Sequence, residues 1–289
     1  MNKIDIHKDY IYNPKVINDI TLVHLSDIHF NSKTKESKLN KIKNIILNDN
    51  PDYIIITGDT IDKPLESKHE NIKILINFLK ELAKEHKVFM SIGNHDVYTK
   101  EDYLFFKNLK IDNLYILNDT SYKDDYIYIS GFTLPTNYYY NLEGEESEVV
   151  LLEHLHNNKT LINNLPIYIP KIGLIHSPIK LTESKVIDLL KEYDLLLSGH
   201  THGGLVPKIL NKMLKPNQGI ISPRSKLFPK VARGKIEINK NNKIITIIIN
   251  SGITKLGEKS ARLLSKLNFV FNIDINKIII TNKKGRNYE

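Results

Sequence analysis

The 289-residue sequence contains no cysteine. That excludes disulfides, thiolate-bound zinc and thiol nucleophiles, so any metal must be held through nitrogen and oxygen. It also lacks a long apolar run. No stretch approaches the roughly 18–20 residues needed to cross a bilayer, and Met1 to Lys15 is charged and mixed where a signal peptide has an apolar core. The cytoplasm is therefore the expected location, with the membrane surface as the alternative. Internal repeats and low-complexity linkers are missing as well, and residues 1–289 read as a single domain.

What is present is ordinary for a folded globular chain, with 41% hydrophobic and 8% aromatic residues. A formal charge of +8 and a pI near 9.2 would attract polyanions. The lysines are scattered, however, and the nearest approach to a basic tail, Asn282 to Arg286, is short, so the charge reads as a solvated surface.

Hydrophobic periodicity alternates between two patterns. Ile20 to Leu25 is a β-rich run, followed over residues 35–48 by Leu39, Ile42, Ile45 and Ile46 at helical spacing. The unit recurs as strands at 53–57, 88–92 and 114–117 with helices near 68–86 and 102–109. Beyond Tyr126 to Phe132 come a helix near 148–162, a strand at 167–175, a helix at 181–191 and a strand at 194–198. The C-terminal part is strand-rich at 235–239, 244–250 and 269–275, with Lys240-Asn241-Asn242 as a hairpin turn. This order predicts an α/β protein in which two sheets pack face to face with helices outside.

Five polar clusters sit where strand-like runs end: Asp27-Ile28-His29, Gly58-Asp59, Gly93-Asn94-His95-Asp96, Gly173-Leu174-Ile175-His176 and Gly199-His200-Thr201-His202. The carboxyl ends of strands in open α/β sheets are where ligands bind. Asp, Asn and His are ligands for borderline divalent metals, and seven such side chains exceed the needs of one ion. Two ions about 3.5–4 Å apart would use them all and would suit in-line displacement at phosphorus.

The ordered pattern D-x-H, G-D, G-N-H-D, G-x-x-H and G-H-x-H resembles that of the calcineurin-like metallophosphoesterases and spans Ser26 to Gly204. The resemblance implies a four-layer α/β/β/α sandwich of two mixed sheets flanked by helices. It implies that Asp27, His29 and His202 hold one metal, that Asn94, His176 and His200 hold the other, and that Asp59 bridges them. The ions would be Mn, Fe or Zn, divalent or trivalent, with a bridging hydroxide as nucleophile. His95 is the candidate general acid and Asp96 the residue expected to orient it.

Other histidines read differently. His154 and His156 are expected on an exposed helix, His24 in the core, and His7, His69 and His86 at the surface; Asp62, three residues after Asp59, reads first as a solvated loop acid and second as part of the site rim. The proline-rich segment 205–233 either overhangs the site, with Arg224, Lys226 or Arg233 reaching an acidic part of the substrate, or is a basic solvent-exposed loop. Asn250-Ser251-Gly252 and Arg262 resemble later family positions only loosely.

As to substrate, Gly-Asn-His-Asp in place of Gly-Asn-His-Glu argues against a protein phosphatase. Gly-His-Thr-His-Gly-Gly with His176-Ser177-Pro178 is similar to a bacterial phosphodiesterase branch that acts on envelope and lipid-linked phosphates. A phosphodiesterase acting on a small-molecule or lipid-linked phosphoester is the first reading, a nuclease binding DNA or RNA through the basic surface the second, and a non-catalytic scaffold the third.

Overall fold

The computed structural model describes residues 3–62, 64–142, 144–211, 213–222, 226–255 and 270–284. The first sheet contains β1 (Ile4–Tyr12), β2 (Ile20–Leu25), β3 (Tyr53–Thr57), β4 (Lys87–Ser91), β5 (Leu114–Leu117) and β12 (Ile273–Thr281). Their order is β1-β12-β2-β3-β4-β5, parallel throughout except for the antiparallel β12·β2 pair. The second sheet contains β6 (Thr120–Lys123), β7 (Tyr128–Phe132), β8 (Lys171–Ile175), β9 (Leu195–Ser198), β10 (Gly234–Lys240) and β11 (Lys243–Ile249). It runs β10-β11-β9-β8-β7-β6, with a parallel centre and antiparallel edges.

Side-chain alternation along each strand builds the layers, because successive residues point to opposite faces. In β3, Ile54 and Ile56 join the layer beneath α1 (Glu36–Asp49), α2 (Ile72–Ala83) and α3 (Lys100–Asn108), whereas Tyr53 and Ile55 face inward. In β11, Ile245, Ile247 and Ile249 meet α4 (Glu145–Asn157) and α5 (Ser184–Leu190), while Ile248 faces inward. The inward layer joins the sheets through Leu22, Phe89, Ile172, Leu174 and Leu197, all fully buried. Two mixed sheets with helices on both outer faces are thus the observed architecture.

Several local expectations are revised. The helix read over 68–86 is shorter, because a 3-10 turn at Glu66–Lys68 precedes it and the chain enters β4 at Lys87. The strand read at 269–275 lies at Ile273–Thr281; residue 269 is outside the described residues. The turn between β10 and β11 narrows to Asn241 and Asn242, both at positive φ (51° and 63°), as a two-residue turn with matched strand twist requires. Strands β1 and β6 were not anticipated. His86 is buried rather than at the surface, and His69 is half-buried with its Nδ1 accepting from the Asn71 amide. His154 is half-buried, its Nε2 lying 3.0 Å from Asp119 Oδ1. His24 is fully buried and paired with Thr57 Oγ1 at 2.8 Å; burial pushes its pKa down to about 3.

Among the described residues no helix is long and apolar enough to cross a membrane.

Candidate metal centre

All five polar clusters open at the same edge of the molecule, directly after β2, β3, β4, β8 and β9. The loops after β2 and β3 continue the parallel pairing of their strands. Asp27 N donates to Gly58 O at 3.1 Å, His29 N to Asp59 O at 3.0 Å and Phe30 N to Thr60 O at 2.8 Å. That register sets Asp27, His29 and Asp59 side by side. The second sheet is stitched to the same place, since His200 N donates to Asp27 Oδ2 at 2.9 Å and Thr254 N to Asp27 O at 3.0 Å.

The backbone is strained here in a consistent way. Asp27, His29, Asp59, His200 and His202 all have positive φ, between 46° and 67°. Non-glycine residues rarely hold that conformation, and where it persists at strand ends it commonly turns functional side chains inward. Glycines make the close approach feasible. A Cβ on Gly93 would lie 2.3 Å from the Asp59 amide nitrogen, and one on Gly199 would lie 1.6 Å from Ser26 Oγ.

The result is a compact set of ligand atoms. Asp27, His29 and His202 offer one set and Asp59, His176 and His200 another, the atoms of each lying within 4.8 Å of one another. Asp59 sits between them, with Oδ2 at 3.2 Å from His176 Nε2 and 3.6 Å from His29 Nε2. A third grouping, His29, Asp59 and His95, overlaps both. Asn94 adds a buried side-chain oxygen with no hydrogen-bond partner.

Whether these residues suit cations is tested by their unpaired atoms. Asp27 Oδ1, His29 Nε2, Asn94 Oδ1, His176 Nε2 and His200 Nε2 are all buried without hydrogen-bond partners. Buried polar atoms are nearly always satisfied, and each orphan costs on the order of 1–3 kcal/mol. Four of these orphans belong to residues of the two ligand groups and the fifth to Asn94 on the loop after β4, a pattern that fits a metal-binding role. Tautomers agree, because His176 Nδ1 bonds Thr57 O at 2.7 Å and His202 Nδ1 bonds Thr254 O at 2.8 Å, which leaves each Nε2 lone pair for a ligand.

The electrostatics express the same crowding. Burial opposes charge on His29, yet Asp27, Asp62 and Asp59 overcome it and raise its pKa to about 10. His176 is raised to about 9, Asp59 outweighing burial. Burial lowers His200 to about 3 and His202 to about 4. Asp59 is held well below the usual carboxylate range, its burial offset by His176, His95 and His29.

Two expectations are corrected. Asp96 does not orient His95: its carboxylate is occupied by the amides of Thr60 (2.8 Å), Ile61 (3.1 Å) and Gly93 (2.9 Å), so it ties the β3 and β4 loops together. His95 is fixed instead by its own amide, which donates to Asp59 Oδ1 at 2.8 Å, and by contact of its Nδ1 with the Asp62 carbonyl. Asp62 is not a solvated acid. It is buried, with Oδ1 at 3.5 Å from His29 Nδ1. Thr254, whose carbonyl holds His202, was missed altogether, as was Tyr139, whose ring centroid lies 5.2 Å from that of His200. The three-residue spacing of Asp59 and Asp62 on one loop was a usable signal for Asp62; Thr254 and Tyr139 carried none. Arg224 and Arg262 lie outside the described residues.

The strand-end clusters thus gather Asp, His and Asn side chains of the kind that ligate divalent metals. A family model described as calcineurin-like phosphoesterase matches residues 20–204, and the chain belongs to that family. Among curated proteins it is 26% identical over 208 residues to an uncharacterised metallophosphoesterase of Campylobacter jejuni, covering 72% of this chain and 50% of that one. It is 24% identical over 282 residues to the UDP-2,3-diacylglucosamine pyrophosphatase of Chlamydia muridarum, covering 82% and 78%. The chain spans about half the length of the first curated relatives it matches. A dimetal phosphatase structure from Danio rerio aligns with a TM-score of 0.49 at 11% identity, covering 81% of this chain and 87% of that one.

Proposed function

We propose that this chain hydrolyses phosphodiesters or phosphoanhydrides with two metal ions. Asp27, His29 and His202 would hold one, Asn94, His176 and His200 the other, and Asp59 would contact both. The observation that carries this reading is the pair of ligand groups on either side of Asp59, whose members Asp27, His29, His176 and His200 each hold a buried, unpaired ligand atom. A bound pair of cations supplies Lewis acidity there, acidifying water towards neutrality and drawing charge from phosphoryl oxygens.

The chain's own residues then divide the remaining work. The carbonyls of Thr57 and Thr254 hold His176 and His202 in the tautomer that presents Nε2. Asp62 faces the far nitrogen of His29 and raises its basicity. His95, anchored through its amide and Nδ1, keeps Nε2 for a proton that it delivers to the departing oxygen. Positioning of this kind contributes because a misplacement of about 1 Å costs on the order of a hundredfold in rate.

A pyrophosphatase among the relatives supports a substrate with a bridging phosphate rather than a simple monoester. The test compares bis(p-nitrophenyl) phosphate with p-nitrophenyl phosphate after addition of Mn. Faster diester hydrolysis is expected; monoester preference would redirect the assignment, and hydrolysis of neither would overturn it.

A further inference from the structure

The stretch Asn250-Ser251-Gly252, a loose match in sequence, follows β11 and opens a segment that lies outside the family-matched residues 20–204. The Asn250 side chain is fully buried and is used at both ends. Its Nδ2 donates to His24 O at 3.1 Å and to Asn276 Oδ1 at 2.7 Å, and its Oδ1 accepts from the Gly252 amide at 2.7 Å. The turn is thereby fastened to β2 and β12 at once. It then passes so close to Asp27 that a Cβ on Gly252 would lie 2.9 Å from that of the aspartate.

Residues 253 and 254 run alongside the loop after β2, Ile253 N donating to Ser26 O and Thr254 N to Asp27 O, both at 3.0 Å. Thr254 reaches the backbone or ring of every ligand assigned to one ion. Its amide holds Asp27, and its Oγ1 donates at 2.8 Å to Ile28 O, the carbonyl of the peptide that joins Ile28 to His29. Its own carbonyl faces His202 Nδ1 at 2.8 Å. From α1, Lys38 Nζ donates to the same Oγ1 at 3.1 Å; an ammonium only donates, so the hydroxyl proton is turned towards Ile28. Among the described residues the hydrogen bonds of Thr254 reach none of Asn94, His176 and His200, the ligands assigned to the other ion. His176 is held instead from within the matched region, by Thr57 O.

We infer that Thr254 is the positioning residue of the ion held by Asp27, His29 and His202, so that the two ions depend unequally on the segment after β11. The inference rests on the two-metal reading above and deepens it: one half of the centre is completed only when residues 250–254 dock against β2 and its loop, and the other half is not. Groups that orient a ligand without touching the metal matter to affinity, and their loss costs on the order of 10- to 100-fold.

The test titrates metal-free protein with Mn by calorimetry and counts ions after desalting. Thr254→Val removes the hydroxyl and keeps the branching; one ion should weaken by about tenfold or more, the other should keep its parental affinity, and Thr254→Ser should restore the first. Lys38→Met is the second variant, with Thr254 intact, and should weaken the same ion by about threefold. Two backgrounds identify the ion: Asn94→Ala keeps the set of Asp27, His29 and His202, and His29→Ala keeps the set of Asp59, His176 and His200. Adding Thr254→Val should cost affinity in the first background and none in the second. Equal weakening of both ions, parental affinity for both, or a loss confined to the His29→Ala background overturns the inference and leaves the two-metal reading standing. Folded parent protein that takes up no Mn removes that reading and the inference with it.

Discussion

Gly93→Ala tests how tightly the metal ligands are packed. The added methyl would lie 2.3 Å from both the amide nitrogen and Oδ1 of Asp59, where ordinary contact begins at 3.4 Å. Something must therefore open by about 1 Å. Neither neighbour is the loose end of a long side chain: one is backbone, and the other is the carboxylate that faces His176 and His29 and accepts from the His95 amide. The overpacking should cost on the order of 1–3 kcal/mol, seen as a fall of several degrees in Tm. A shift of about 1 Å at a ligand should lower kcat/KM by roughly a hundredfold. Gly144→Ala is the control, since the atoms nearest its methyl belong to the exposed side chain of Asn141, which can turn away. Metal titration by calorimetry with diester turnover makes the comparison. A Gly93→Ala protein with parental Tm, metal affinity and turnover would refute the packing argument.

Three further outcomes follow from the same geometry. His95→Ala should retain metal and lose roughly 10²- to 10⁴-fold in turnover, because it removes the proton donor and no metal ligand; metal analysis alongside kinetics checks this. Asp62→Asn, which weakens the contact to His29 Nδ1, should loosen metal binding by about 10- to 100-fold, read by competition with a chelator. His29 and His176, raised to about 10 and about 9, carry protons near pH 7.5 in the metal-free protein. Metal uptake should then release about two protons per chain, and affinity should climb as pH rises towards 9. Calorimetry in buffers of differing ionisation enthalpy measures the release, and none at pH 7.5 would contradict the assignment. The sign for stability is opposite: the pairing of these histidines with Asp27 and Asp59 stabilises the metal-free fold fully below pH 6.5 and is lost as pH rises through about 9 to 10.

Much of this site was legible because its determinants are local. A β-branched run ending in Gly-Asp or Asp-x-His marks a strand and the turn that follows it, and β2, β3, β4, β8 and β9 each place their cluster where that pattern puts it. What escaped depends on distant pairings. Strand β1 alternates isoleucine and tyrosine with charge and looks like a solvated leader until Ile4 through Tyr12 pair with Ile273 through Thr281. Strand β6 is four residues of polar edge. Asp62 resembles any loop acid until the Phe30 to Thr60 pairing draws its loop against His29. Asp96 was misassigned for the converse reason: adjacency to His95 in sequence suggested contact, but the turn aims its carboxylate at three backbone amides.

The central claim is that seven side chains on five strand ends hold two metal ions. Elemental analysis of the purified chain after Mn reconstitution and desalting, paired with diester turnover on the same sample, tests it most directly. About two equivalents per chain with turnover is the predicted result. Folded protein that retains no metal and stays inactive would contradict it.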